Sequence, residues 1–335
     1  MNLLLEKLAR RKHLTRRQAR LLMERVLGGH TGDIELGGLL MALRTKGETP
    51  DELIGFAAAM RAAALQIRPQ ARPLIDTCGT GGDGLHTFNF STAAAIVAAA
   101  GGARVAKHGN RAMSSRCGSA DILEAAGVRI DQEPAAATRT LEQVGIAFLF
   151  APHYHPALKR AAAVRRELKV RTVFNLLGPL LNPAGARRQV VGVFAAGWVL
   201  PLARTLKALK AQRALVVCGE DGIDEISPSG PTRAAILSGG RIRRGRIDPR
   251  RLGVRTRPLR QLRGGDPEQN AAALLELLQG RSSSYRDGVL LNAAAALWVA
   301  GLVRNLRDGV ERAAELIDSG AALDKLERWR KHSAM

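Results

Sequence analysis

The densest chemistry in the chain lies between a short apolar run, Pro73-Leu74-Ile75, and an alanine-rich stretch from Ser91 to Ala100. There the sequence reads Asp76-Thr77-Cys78-Gly79-Thr80-Gly81-Gly82-Asp83-Gly84 and continues through Thr87-Phe88-Asn89-Phe90-Ser91-Thr92. Glycines let a backbone turn tightly and approach a ligand without a Cβ in the way, so successive N–H groups can converge on phosphate oxygens. Ser91 and Thr92, at the start of a helix, add hydroxyl donors where the helix dipole already favours an anion. A plain turn needs fewer glycines than this. Gly79, Gly81 and Gly84 satisfy the G-x-G-x-x-G spacing of dinucleotide-binding folds, but those folds open their helix at the third glycine, and here Leu85 to Phe90 intervene. The Gly-Lys-Ser/Thr of a P-loop is absent. The stretch reads as an anion cradle that is neither of the two common nucleotide loops.

Two further clusters follow strand-like runs. After an apolar stretch at 103–106 comes Lys107-His108-Gly109-Asn110-Arg111-Ala112-Met113-Ser114-Ser115-Arg116-Cys117-Gly118-Ser119. Lys107 can pair with a phosphate, and Asn110, Arg111, Ser114, Ser115 and Ser119 offer donors without adding negative charge. After an apolar stretch at 214–217 comes Cys218-Gly219-Glu220-Asp221-Gly222-Ile223-Asp224-Glu225-Ile226. Carboxylates repel phosphates, so acids at the rim of an anion site need a cation between them and the ligand. Asp224 and Glu225 are candidate Mg²⁺ ligands, directly or through water; an acidic surface turn is the alternative. His155, and Arg165 in the basic helix that follows it, could face the cradle, although a single His or Arg is more often structural or solvated.

The scaffold follows from the hydrophobic pattern. From Asn2 to about Ile67 the apolar residues recur at helical spacing, with Thr15, Thr31 or Asp33, and Thr49-Pro50-Asp51-Glu52 as helix starts and Gly28-Gly29 and Gly47 as stops. Four short helices of this kind make a small bundle. Residues 1–70 are expected to form this helical domain, with a proline-containing connector, Arg68 to Pro73, as hinge. A helical segment near 155–175 has the same character and is expected to pack back on the bundle. Beyond the hinge, residues 71–335 alternate: a strand at 74–75, helix 91–100, strand 103–106, helix 120–126, then strands at 147–150, 190–194, 214–217 and 234–237. This is the pattern of an α/β domain with a mainly parallel sheet flanked by helices, in which loops beyond neighbouring strand ends meet at one crevice.

Composition narrows the class. A hydrophobic fraction of 46% suits a globular protein. No apolar run approaches the ~20 residues of a membrane span, and the N-terminus lacks an apolar signal core, so a cytoplasmic location without membrane contact is expected. Cys78, Cys117 and Cys218 share no disulfide or zinc-site spacing. The balance of 51 Lys+Arg against 30 Asp+Glu gives a formal charge of +21, which attracts anions in general. Its arginines, including those from Arg241 to Arg263, lack the interleaved aromatics of a base-stacking surface, so solvated charge is expected and nucleic acid is not favoured.

The order of these segments resembles the anthranilate phosphoribosyltransferases over nearly the full length. The resemblance is carried by the loop from Asp76 to Thr92, Lys107 to Arg111, Ser114-Ser115, Gly118-Ser119-Ala120-Asp121, Phe150-Ala151-Pro152, His155-Pro156-Ala157, Arg171 to Pro183, Gly222-Ile223-Asp224-Glu225, Leu290 to Leu297 and Asp318 to Ala322. It implies a nucleoside phosphorylase class II fold, a homodimer joined through the helical domain, and Mg²⁺-dependent transfer of phosphoribose from phosphoribosyl pyrophosphate (PRPP) to the amine of anthranilate, a step of tryptophan biosynthesis. It implies PRPP binding by Gly79, Gly82, Asp83, Thr87, Asn89, Ser91, Thr92, Lys107 and Ser119, and metal binding by Ser91, Asp224 and Glu225. Anthranilate would lie near Gly79, His108, Asn110, His155 and Arg165, with Lys107, His108 and Arg165 supporting an electrostatic site that has no assigned catalytic acid or base. Lys169 stands where the family commonly has glycine. The rival readings are a transferase with another aromatic acceptor and a nonenzymatic nucleic-acid-binding relative; the phosphorylase wording Lys-His-Ser-Thr-Gly-Gly is absent.

Overall fold

A computed structural model describes residues 2–112 and 115–335. Four helices come first: α1 (Asn2–Ala9), α2 (Arg16–Leu27), α3 (Asp33–Lys46) and α4 (Pro50–Ala63). Their starts are set by local chemistry. Thr15 and Thr49 each accept a hydrogen bond from the backbone three residues on, while Gln18 and Glu52 return one to the cap, so both helices open on a capping box. Helix α3 begins at Asp33, one of the two expected starts, after Gly32, a cap with no side chain to contribute.

The remaining elements are β1 (Leu74–Gly79), α5 (Phe90–Ala100), β2 (Arg104–Gly109), α6 (Ser119–Ala125), α7 (Pro134–Val144), β3 (Ile146–Phe150), α8 (Ala151–Tyr154), α9 (Lys159–Leu168), α10 (Val173–Leu177), β4 (Arg188–Gly192), α11 (Val199–Ala208), β5 (Arg213–Gly219), β6 (Thr232–Ser238), β7 (Arg241–Ile247), α12 (Pro267–Leu278), α13 (Arg286–Ala300), α14 (Leu306–Asp318) and α15 (Ala321–Ser333). The strands form a seven-stranded sheet in the order β3-β2-β1-β4-β5-β6-β7. Its first five strands are parallel, and β6 and β7 add as an antiparallel hairpin.

Both faces of the sheet are covered, which is why the parallel strands read as near-continuous apolar runs. On one face Ile75, Val105, Ile146, Val190, Leu215 and Val217 join α5 and α12–α15 in one core. On the other, Val191, Val216, Cys218, Ala235 and Leu237 join α11, α10 and the N-terminal helices in a second. Helix α9 packs on α3 and α10 on α4.

Two strand assignments changed. Lys107 and His108 are the fourth and fifth residues of β2, inside the sheet, whereas the sequence pattern ended that strand at Ala106. The arginines at 241–246 are a strand: β7 is an edge whose Arg241, Arg243, Arg244 and Arg246 are exposed, and its polarity hid it from a search for apolar runs. No helix among the described residues is long and apolar enough to cross a membrane.

Candidate active site

The strand order reverses at β1, which has β2 on one side and β4 on the other, and the cradle sits at the carboxyl end of that switch-point strand, where open α/β sheets bind ligands. Its turns are braced from both neighbours. Thr80 donates its N–H to the Gly192 carbonyl (3.0 Å) and accepts the Phe194 N–H at Oγ1 (3.0 Å). Gly81 N–H donates to Asp224 Oδ2 (2.9 Å), and Leu85 N–H to Asp83 Oδ1 (3.0 Å). A Cβ on Gly79 would lie 2.5 Å from Asp224 Oδ2, so glycine is required there for the Asp224 carboxylate to close on the cradle. Thr87 forms an isolated bridge with Arg263.

The second polar loop meets the first as expected. Asn89 Nδ2 donates to the Cys117 carbonyl (3.1 Å), while its Oδ1 accepts from Asn270 Nδ2 (3.1 Å), so Asn89 ties the two loops to α12. Ser119 Oγ donates to the Asn110 carbonyl (3.3 Å) at the start of α6, and Ser115 Oγ to the Cys117 carbonyl (3.4 Å). Arg111 is already engaged: its guanidinium pairs with Glu124 (2.7 Å) and Asp121 (3.2 Å) instead of standing free as an anion donor. Ser114 lies outside the described residues.

Lys107 is buried beneath the cradle, 1% exposed, not at its surface. Its ammonium donates to the Thr77 carbonyl (2.7 Å) and reaches Ser91 Oγ (3.5 Å) at the first turn of α5. Across from it, Glu225 Oε1 accepts the Ser91 N–H (3.1 Å). Burial and mutual repulsion raise two acids here. Asp224 is pushed up to about 7 by burial and then by Asp83, and Glu225 to about 8 by burial and then by Asp224. Three crowded carboxylates beside a phosphate cradle suit a divalent cation, which removes the repulsion they suffer without it. Among the described residues no three His, Cys, Asp or Glu side chains converge as a complete cage. That matches Mg²⁺, which uses one or two carboxylates and fills its shell with water and substrate phosphates.

On the side facing the bundle, the rings of His108 and His155 meet edge to face at 5.3 Å. His108 hydrogen-bonds the Gly178 backbone and His155 the Leu181 backbone, leaving Nε2 of each buried without a protein partner. Burial holds both rings neutral, lowered to about 3 and about 4. Arg165 lies over the Phe174 ring (5.3 Å) with no carboxylate against it among the described residues, and burial lowers it below its usual value. Asp83 Oδ2 and Thr92 Oγ1 are likewise buried and unpartnered. Buried polar atoms are normally satisfied; orphans also occur at Thr31, Ser229 and Trp329, and those at the cradle and on its bundle side fit partners that a ligand would supply.

Several residues at the site went unassigned from sequence. Arg171 Nη1 donates to the Gly82 carbonyl (2.8 Å) with its guanidinium over Phe194 (4.6 Å), linking the bundle side to the cradle. Asn292 of α13 clamps the backbone of Ile226, accepting its N–H (3.0 Å) and donating to its carbonyl (3.0 Å), directly after the two acids. Both fall in stretches that carried the resemblance, but only the long-range contacts give them a task.

Comparison with known proteins agrees. Residues 71–323 match the family described as "Glycosyl transferase family, a/b domain", and residues 3–64 match "Glycosyl transferase family, helical bundle domain". The chain is 52% identical over 322 residues to the anthranilate phosphoribosyltransferase of Anaeromyxobacter dehalogenans (strain 2CP-1), covering 96% of this chain and 95% of that one. The crystal structure of anthranilate phosphoribosyltransferase from Thermus thermophilus superposes with a TM-score of 0.93 at 44% identity over 99% of both chains. The Saccharomyces cerevisiae enzyme in complex with PRPP and Mg superposes at 0.89 with 26% identity, over 98% of this chain and 96% of that one. With matches of this strength over nearly its whole length, the chain belongs to the anthranilate phosphoribosyltransferase family of glycosyl transferases.

Proposed function

We propose that the cleft carries out the family's reaction as an electrostatic site: the anthranilate amine attacks the ribose C1 of PRPP, the C1–O bond to pyrophosphate breaks with its electron pair leaving on that oxygen, and the amine loses a proton. The supporting observation is the set of buried, unpartnered polar atoms around the cleft, Asp83 Oδ2, Thr92 Oγ1, His108 Nε2 and His155 Nε2, facing a cradle rich in backbone N–H groups. In this reading Gly79, Gly82, Asp83, Thr87, Asn89, Ser91, Thr92, Lys107 and Ser119 form the PRPP side, with Lys107 acting from below through Ser91. Gly79, His108, Asn110, His155 and Arg165 form the anthranilate side, and Arg165, which has no acid of its own, meets the substrate carboxylate.

Ser91, Asp224 and Glu225 would hold Mg²⁺. The bound ion supplies charge neutralisation for the departing pyrophosphate. The chain does the rest by orientation: two neutral imidazoles accept from the amine without needing to be strong bases, because the aromatic amine is a weak base and pyrophosphate a good leaving group.

In the same reading residues 1–70, with the segment near 155–175, move as one unit against residues 71–335, and closure brings the anthranilate side onto the cradle. Leu3 and Ile34, 86% and 94% exposed on the packed pair α1 and α3, fit a homodimer contact on the bundle. A cytoplasmic enzyme of tryptophan biosynthesis follows from the activity. The test is the fluorescence of anthranilate mixed with PRPP and Mg²⁺. Loss of fluorescence that requires all three components is expected; no turnover, with salt-sensitive DNA binding in its place, would return the protein to the nonenzymatic reading.

A further inference from the structure

The parallel ladder is uneven around β1. Strand β1 stays in register with β4 from Ile75↔Arg188 to Gly79↔Gly192, and β2 with β3 from Val105↔Ile146 to Gly109↔Phe150. Between β1 and β2 the register ends at Ile75↔Val105. Beyond that point the strands stay neighbours but the ladder pairing stops, and three buried side chains take up the backbone groups there. The His108 N–H donates to Asp76 Oδ1 (3.2 Å), and Asn182 Nδ2 donates both to Asp76 Oδ2 (2.8 Å) and to the Ala106 carbonyl (2.7 Å). Lys107 Nζ takes the Thr77 carbonyl (2.7 Å). Asn182 Oδ1 is held in turn by the Ala184 N–H (3.0 Å), which fixes which end of the amide faces Asp76.

A buried polar wedge between strands is costly unless every group in it is satisfied, and here each of these backbone and side-chain groups has its partner. The break in the ladder lies towards the strand ends from which the two donor loops depart. It also leaves Lys107 lying across the break, with Asp76 as the acid of β1 nearest its charge and Ser91 Oγ 3.5 Å away. Asn182 belongs to the connector between α10 and β4, whose Gly178 and Leu181 backbone partners His108 and His155.

We propose that Asp76 and Asn182 are positioning residues: they take the place of ladder bonds between β1 and β2 and fix the Lys107 ammonium under the first turn of α5, and so set the affinity for PRPP without touching it. This rests on the assignment of the cradle to PRPP. The substitution that tests it is Asn182→Asp, which keeps shape but turns a two-way donor into an acceptor facing Asp76 and the Ala106 carbonyl. Asn182→Ser is the milder companion, and Gln189→Ala the control. Gln189 is the register partner of Asp76 on neighbouring β4 and donates to the Pro179 carbonyl (2.8 Å) of the same connector, but its side chain makes no hydrogen bond to Asp76, Asn182 or Lys107.

Titration calorimetry with PRPP and Mg²⁺, KM for both substrates and thermal midpoints are measured on all four proteins. The expected result is a PRPP dissociation constant raised about tenfold in Asn182→Asp and several-fold in Asn182→Ser, with KM for anthranilate nearly unchanged. Gln189→Ala should lower the thermal midpoint yet bind PRPP as the parent does. The proposal is overturned if a folded Asn182 variant binds PRPP normally, or if Gln189→Ala loses the same affinity at the same midpoint. If Asn182→Asp does not fold, Asn182→Ser decides by the same criteria. A parent protein that fails to bind PRPP would instead overturn the assignment of the cradle.

Discussion

Asp224 Oδ2 accepts the Gly81 N–H at 2.9 Å, so an acid of the β5–β6 loop closes the first turn of the cradle across 143 residues of sequence. The same oxygen occupies the space a Cβ would need on Gly79. Replacing Gly79 with alanine should therefore push the Asp224 carboxylate off the cradle while leaving the apolar cores untouched. PRPP affinity measured with Mg²⁺ should fall by about tenfold or more, with a thermal midpoint close to the parent's.

Glu225 is a buried carboxylate next to another, an arrangement that costs stability unless a cation is present. Glu225→Gln should raise the thermal midpoint in metal-free buffer, since the amide keeps the shape and loses the repulsion. The same change should raise the Mg²⁺ concentration for half-maximal activity by about tenfold and abolish most of the stabilisation that Mg²⁺ gives the parent. Unchanged Mg²⁺ dependence would remove Glu225 from the metal site.

The two buried histidines give the fold a definite acid sensitivity. In the unfolded chain they take up protons near pH 6.5, but in the folded protein burial holds them neutral down to about 4 and about 3. At these two residues the unfolded state therefore binds more protons below pH 6.5, and their contribution to stability is lost as pH falls. Each histidine contributes a slope approaching about 1.4 kcal/mol per pH unit once the pH is well below roughly 6.5. Asp224 and Glu225, whose carboxyls burial raises, work in the opposite sense over the same range, so the histidine effect is read as a difference: relative to the parent, His155→Gln should gain thermal midpoint as the pH falls from 7 towards 5.

Lys169 ends α9 in the left-handed conformation, φ 51° and ψ 26°, which an L side chain resists and glycine adopts freely. This is the physical reason for a glycine at that position. Lys169→Gly should stabilise the protein by about 1 kcal/mol in urea denaturation, and it should firm the last turn of the helix that carries Arg165.

Much of this was legible because local signals agreed with the global fold. The capping boxes at Thr15 and Thr49, the glycine-dense loop after β1 and the apolar runs of β3 to β6 each announce themselves within a few residues. What escaped depends on partners far away in sequence. That Lys107 would be buried could not be read from its neighbours, because its carbonyl partner lies on another strand. Asp76 reads as one more loop acid until Asn182, far along the chain, is found to bind it. Arg111 read as a free donor because Glu124 reaches it only through the turn of α6. The β7 strand was missed because an exposed edge need not be apolar on either face.

That edge carries a consequence for how copies of the chain meet. Strand β7 ends the sheet with its outer ladder groups open, the usual template on which another chain adds a strand. Arg241 and Arg243 point from one face and Arg244 from the other, beside an Arg246 that Glu220 already holds (2.9 Å), so a second β7 laid alongside would set guanidinium against guanidinium. The arginines thus insulate the open end of the sheet from its own kind.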